Sequence, residues 1–236
     1  PIFWEGKLLA WAVGGGLQRD VGGMTPGSCP TNATEIHQEG LRLPPMKLYN
    51  QGKPNKTLFT ILKAASRTPE IVLADISAYV GACTVAENRF LELVEEHGAS
   101  TLDKYLAELL DYTERLARAE ITAMPDGKYY FEDKLDDDGV NLKNEVTIRL
   151  TITVDGDELV YDFNGTDPQV ASSMNNPLGS TRSAVVTAVR SMMGGDVPRN
   201  GGAWRPVTLN VPDGSLLNPQ FPAPVASRGG TAQRLS

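Results

Sequence analysis

At 236 residues the chain can bury one large core or two small ones. Hydrophobic residues make up 41% and charged residues 22%, an ordinary globular balance that excludes a disordered chain. The formal charge is −7, and Lys and Arg are scattered without a basic run, which argues against a nucleic-acid groove or an anionic membrane surface as partner.

Ile2-Phe-Trp and Lys7-Leu-Leu-Ala-Trp-Ala-Val flank Glu5-Gly6, a hairpin signal. The chain opens without Met or a signal peptide and stops at Arg234-Leu-Ser, so it reads as part of something longer. Gly14 to Gly16 break the second strand, and from Leu17 to Pro54 the sequence is rich in Gly, Pro, Thr and Asn. A loop of that length inside a compact domain is usually functional or packed on a partner. Leu58 to Ala65 is predicted as a short helix. Thr68-Pro69-Glu70 supplies an N-cap, a proline at the first helical position and an acid in the first turn. Val72, Ile76, Val80, Cys83, Phe90 and Val94 then recur at helical spacing until Gly98, with His97 placed favourably at the helix C-terminus. A second helix starts near Ser100 and Thr101, carries Leu102, Leu106, Leu109, Thr113 and Leu116 on one face, and stops at Met124-Pro-Asp-Gly127. Two such helices in succession predict an antiparallel pair.

Beyond Gly127 the period changes to two, in Tyr129-Tyr-Phe and in the run from Val146 to Val154. Asp155-Gly-Asp turns that run into Leu159-Val-Tyr-Asp-Phe. Thr181 to Met193 is predicted as a small-residue helix, and Pro206-Val-Thr-Leu-Asn-Val as a further strand. The fold class is therefore α+β, mixed strands and hairpins with a central antiparallel helix pair, within a larger multi-domain subunit. Three segments follow: 1–57 with the hairpin and loop, 58–126 helical, and 127–236 β-rich with one helix. No stretch of about 18 apolar residues is present, so no membrane span is expected. Cys29 and Cys83 are expected reduced, and Asn32-Ala-Thr, Asn55-Lys-Thr and Asn164-Gly-Thr are read as chance glycosylation matches.

The segment Gly14-Gly-Gly-Leu-Gln-Arg-Asp20-Val-Gly-Gly-Met-Thr-Pro-Gly-Ser28 surrounds one carboxylate and two hydroxyls with glycines. Such a loop lets backbone N–H groups approach a ligand, while Asp20 can hold a cation or orient a substrate N–H. It lacks the Gly-Lys-Ser/Thr ending of a phosphate loop and the spacing of a dinucleotide fingerprint. On spacing alone, a strained turn between strand and loop explains it equally well. His37, in Glu35-Ile-His-Gln-Glu39, is a candidate metal ligand or general base, with a structural role as the alternative. Asp136-Asp-Asp138-Gly is read as a solvated turn before a cation site. No nucleophile elbow accompanies either histidine.

Several segments in order resemble the hydantoinase B / 5-oxoprolinase / acetone carboxylase alpha-subunit family. They are Asp20-Val-Gly-Gly-Met-Thr-Pro-Gly-Ser, Ala33-Thr-Glu-Ile-His-Gln-Glu-Gly-Leu-Arg-Leu-Pro-Pro-Met-Lys-Leu-Tyr49, and Leu135-Asp-Asp-Asp-Gly. Further on come Tyr161-Asp-Phe-Asn-Gly-Thr-Asp-Pro-Gln, Asn176-Pro-Leu-Gly-Ser-Thr-Arg-Ser-Ala-Val, Pro206-Val-Thr-Leu and Gly214-Ser-Leu-Leu-Asn-Pro. The resemblance implies a cytoplasmic subunit, in a hetero-oligomer with a hydantoinase A-type partner that binds ATP and magnesium, acting on a cyclic amide such as a hydantoin, 5-oxoproline or a lactam. It implies catalytic roles for Asp20 and His37, a pocket shaped by Gly22, Gly23 and Thr25, and a divalent metal, zinc or manganese, at Asp20 and His37. Leu17 and Gln18 stand where family members commonly carry histidines, which departs from that metal site. A ketone carboxylase of the acetone or acetophenone type, or a degenerate paralogue with a structural role, are the alternatives.

Overall fold

The computed structural model describes residues 1–195 and 197–235, and the chain divides into two compact units. The first comprises Pro1–Ser28 and Gly40–Glu108, the second Cys29–Glu39 and the residues from Leu109 onward.

In the first unit β1 (Ile2–Trp4) and β2 (Lys7–Ala10) form the expected antiparallel hairpin, with Trp4 opposite Lys7. Glu5 and Gly6 both have positive φ, 49° and 78°, the turn whose twist matches that of paired strands. The stretch read as one long loop holds a second small hairpin, β3 (Tyr49–Asn50) and β4 (Lys53–Pro54), turning at Gln51 and Gly52 in the same way. Helix α1 (Lys56–Ala65) begins at Asn55, whose side chain accepts from Leu58 N at 3.2 Å. Its buried Leu58 and Leu62 pack toward α2 (Pro69–His97), which also touches β1 through the region of buried Ile2.

Pro69 opens α2 as the sequence predicts, but the Thr68 side chain makes no capping bond. Ser66 Oγ accepts from the backbone N–H of Thr68 at 3.0 Å. Only Val72 and Val94 of the predicted apolar stripe are buried. The most apolar 18-residue stretch of α2 has a mean hydropathy of 1.3, so by length and composition this helix can cross a membrane. Glu70, Asp75 and Glu87 interrupt its apolar residues, so α2 holds no unbroken run of 18. Gly98 (φ 80°) alone joins α2 to α3 (Ala99–Thr122), where an αα-hairpin loop uses two residues or more. The helix pair is therefore realised differently: α2 packs on α1, and α3 buries Thr113, Ala117 and Ile121 in the second unit.

That unit is built on a four-stranded sheet in the order β5-β6-β7-β8. β5 (Gly127–Leu135), β6 (Val146–Asp155) and β7 (Glu158–Asp162) are antiparallel, and β8 (Val207–Asn210) runs parallel to β7 after the crossover through α4 (Leu178–Met192). The period-two pattern sets Val146, Ile148 and Val154 into a core with Ile121 of α3, Val185 and Val189 of α4, Phe163, Leu216 and Leu217. A short helix α5 (Arg228–Gln233) follows. The architecture is α+β. The segment 29–39, far away in sequence, is part of this unit: Ala33 is fully buried, Ser173 Oγ donates to Pro30 O, and Ile36 N donates to Pro222 O at 2.8 Å. Both cysteines are free. The acidic run is a turn, in which Asp137 accepts from Gly139 N, and Asp138 from Val140 N, Asn141 N and Asn144 Nδ2.

Candidate functional site

The glycine-rich loop of the first unit is organised from inside by Asp20, which is 2% exposed. Oδ1 accepts from Gly22 N (2.9 Å) and Arg67 N (3.2 Å), and Oδ2 from Gly27 N (2.8 Å) and Arg67 Nη1 (3.2 Å). Burial alone would raise the carboxyl pKa. The three backbone N–H groups and the Arg67 guanidinium outweigh it and hold the group ionised, with a pKa of about 2.

Arg67 closes the loop from the other side. Its Nη1 also reaches Gly22 O at 3.2 Å and Thr25 O at 3.1 Å, and Nη2 donates to Gly23 O at 2.6 Å. One guanidinium thus gathers three loop carbonyl oxygens together with the buried carboxylate, a use that suits its planar fork of donors. Ser28 adds a further tie, accepting from Val21 N at 2.8 Å and donating to Gly22 O at 2.7 Å. At two of the glycines a side chain would meet a neighbour. Gly22 has φ 92°, and a Cβ on it would lie 2.8 Å from Ala65 O; a Cβ on Gly16 would collide with Tyr79 Oη.

Two polar atoms of this loop are shielded from solvent and have no hydrogen-bond partner among the described residues: Gln18 Oε1 and Thr25 Oγ1. A buried polar atom without a partner is costly, and it marks a place where a ligand or water completes the bonding. Gly14, at the head of the loop, also lines a cleft of about 1060 Å³ with Leu43, Met46, Leu62, Tyr79 and Cys83.

His37 lies in the second unit, exposed, on a short 3-10 turn (Ile36–Glu39), with its ring edge-on to Phe221 at 5.6 Å. Asp20 and His37 therefore belong to different units. His97 ends α2, 3.6 Å from Glu96. Glu39, two residues beyond His37, is buried. Its Oε1 accepts from Val225 N and Ala226 N, both at 2.7 Å. Burial pushes its pKa up, against the two amides and Arg228.

The donor set around Asp20 does not suit a divalent metal. Both carboxylate oxygens are already engaged, a fixed guanidinium stands 3.2 Å away, and Leu17 has no ligating atom. Among the described residues no group of three or more His, Cys, Asp and Glu side chains gathers as a metal site.

The sequence profile of the hydantoinase B/oxoprolinase family matches residues 1–236. The chain belongs to that family. It is 35% identical over 239 residues to a protein of Pseudomonas sp. (strain NS671) provisionally named as the B-type subunit of a D-/L-hydantoinase, covering 97% of this chain and 40% of that protein. The crystal structure of the ATP-dependent caprolactamase from Pseudomonas jessenii superposes with a TM-score of 0.82 at 31% identity, over 88% of this chain and 36% of that one. The nucleotide-free structure of acetone carboxylase has the same fold, with a TM-score of 0.82 at 20% identity, over 97% of this chain and 32% of that one. The chain thus spans about 40% of the length of some curated relatives it matches and about 20% of others, the 5-oxoprolinases among them.

The segments that carry the family resemblance divide by role. The Asp20 loop is tied together by its own backbone N–H groups and the Asp20–Arg67 pair. The segment from Asn176 is buried scaffold: Thr181 Oγ1 donates to Leu217 O at 2.7 Å and accepts from Asn176 Nδ2 at 2.9 Å. Beside it Asn175 Nδ2 donates to Val170 O and Pro224 O. Sequence reasoning missed Arg67 and Glu39. Arg67 precedes a helix start with no motif around it, and Glu39 reads as one more acid in a polar loop.

Proposed function

We propose that this chain forms the substrate-facing part of a hydantoinase B-type subunit that opens cyclic amides, together with an ATP-binding partner of the hydantoinase A type. The observation that carries the reading is the Asp20–Arg67 loop with its two orphaned polar atoms. Gln18 Oε1 is an acceptor and Thr25 Oγ1 can donate, and these match the N–H and C=O of a ring amide. Gly22, Gly23 and Thr25 shape that wall, and the largely apolar cleft that starts at Gly14 suits the hydrocarbon part of a hydantoin or lactam ring. The names of the hydantoinase and caprolactamase relatives support the substrate class and the division into subunits. The ATP-dependent caprolactamase supports ATP use, which we assign with magnesium to the partner and which accords with a cytoplasmic setting.

In this reading Asp20 is a positioning residue. As an anion fixed by Gly22 N, Gly27 N and Arg67 it holds the loop open to substrate, its oxygens already taken up by those donors. His37 is kept as a proton carrier at the second unit's surface, consistent with its exposure.

The test is to combine the protein carrying this chain with a hydantoinase A-type subunit and follow ADP release and ring opening on hydantoin, 5-oxoproline and caprolactam. ATP-dependent opening of at least one ring is expected. Turnover of ATP with acetone and bicarbonate, and none with any ring amide, would overturn the proposal in favour of a ketone carboxylase.

A further inference from the structure

β5 is an outer strand of the second unit's sheet, hydrogen-bonded to β6 and to no other strand among the described residues. Its free side can be identified residue by residue. Thr147 N donates to Asp167 and Arg149 N to Thr166, so these two residues, which stand opposite Lys134 and Glu132, turn their N–H groups away from β5. Lys134 N, correspondingly, bonds the neighbouring Asp133 side chain at 2.8 Å. By the alternation of an antiparallel ladder, Lys128, Tyr130, Glu132 and Lys134 present their N–H and C=O groups outward.

The side chains on this strand are those of an interface. Tyr129 and Phe131 lie on the apolar face of the sheet, opposite Ile152 and Leu150, yet are 48% and 61% exposed. Tyr130, on the other face, is 64% exposed. An open edge that also carries apolar side chains is a template for another strand.

The charge pattern says which strand. If a second β5 pairs antiparallel about Tyr130, Tyr130 meets its own copy, Lys128 meets Glu132, Asp126 meets Lys134, and Tyr129 meets Phe131 on the apolar face. Sliding the register by two in the direction that centres Phe131 sets Lys128 against Lys134. Sliding it further, to centre Glu132, sets that carboxylate against itself. Only the Tyr130-centred register puts opposite charges across the junction and aromatic rings beside each other, and like charges directly opposite destabilise a pair. Within its own sheet Glu132 Oε2 accepts from Tyr130 Oη (2.9 Å) and from Arg149 Nε of β6 (3.0 Å).

We propose that β5 is a self-association edge, by which two copies of this chain join their sheets antiparallel about Tyr130. The inference is independent of the ring-opening reading. Sedimentation velocity across a range of concentrations should show a reversible dimer. Lys128→Glu and Glu132→Lys should each weaken it by about tenfold or more, since each turns two cross-strand attractions into repulsions. An equimolar mixture of the two variants should recover it. One copy then carries carboxylates at both positions and the other ammonium groups at both, so every facing pair is again of opposite charge.

A covalent test stands apart from the stability of those variants. In a Cys29→Ser background, Tyr130→Cys should give an oxidised dimer, because directly opposed residues bring their Cα atoms within disulfide reach. Lys134→Cys, which has no copy of itself opposite, should not. A chain that stays monomeric at every concentration overturns the proposal. So does a dimer indifferent to both charge variants, or one crosslinked equally well at positions 130 and 134.

Discussion

Replacing Arg67 by Met removes the guanidinium from the glycine loop while keeping an apolar stem of similar length. The magnitude follows from Asp20. Its carboxyl falls from an ordinary 3.8 to about 2, and at about 1.4 kcal/mol per pKa unit the ionised group contributes about 2 kcal/mol, its partners net of the cost of burial. Arg67 supplies a backbone N–H that survives the substitution and a guanidinium that does not. The lost side-chain share is discounted because Arg67 is 42% exposed. To this is added the release of Gly22 O, Gly23 O and Thr25 O, so a net loss of about 2 kcal/mol is expected, at about 1 kcal/mol per neutral bond partly recovered by water. Urea denaturation followed by circular dichroism measures it, as a lower midpoint at unchanged slope. Arg67→Lys should lie between the two proteins, because an ammonium cannot reach the carboxylate and three carbonyls in one plane. If Arg67→Met were as stable as the parent and equally active in the assembled complex, the clamp would carry no energetic weight and the reasoning would fail.

The other expectations concern single groups. Because the Asp20 pKa is lowered on folding, its stabilisation is fully present above pH 3.8 and is lost as pH falls toward 2. Stability measured between pH 5 and 2 should therefore fall more steeply in the parent than in Asp20→Asn, and parallel curves would remove the assignment. Thr25→Val should leave or raise stability, since it deletes an unpartnered buried hydroxyl, while raising KM for the ring amide roughly tenfold. An unchanged KM would mean that the hydroxyl does not meet substrate. Glu39 behaves in the opposite sense to Asp20. Its pKa is raised, so it favours folding below its unfolded value and loses that contribution as pH rises through the folded one. Glu39→Gln keeps an acceptor for Val225 N and Ala226 N, and should be at least as stable as the parent at pH 7 while losing its advantage near pH 4; equal differences at both pH values would refute this.

Elements whose geometry is set within a few residues were legible in the sequence. Glu5-Gly6 and Asp155-Gly-Asp gave their hairpins because positive φ at a two-residue turn admits few residue types. Pro69 and Gly98 bound α2, and the alternation from Val146 to Val154 fixed both the strand and its buried face. The ordered segments around Asp20, His37 and Asn176 were sufficient for the family. The glycine loop was singled out as a candidate site, although its spacing left open whether the carboxylate faced a ligand or the chain.

The tertiary structure decided what depends on partners distant in sequence. Arg67 lies 47 positions beyond Asp20, and no local pattern says that a guanidinium will meet that carboxylate. The segment around His37 joins the second unit because Pro222 O accepts from Ile36 N and Val225 N donates to Glu39, again a long-range match. Thr68 stands at an N-cap position, yet its Oγ1 accepts from no first-turn N–H, a rotamer outcome that the residue type does not dictate. Local sterics write turns and helix ends into neighbouring residues. The pairing of a buried charge is written only when the folded chain brings its counterpart to it.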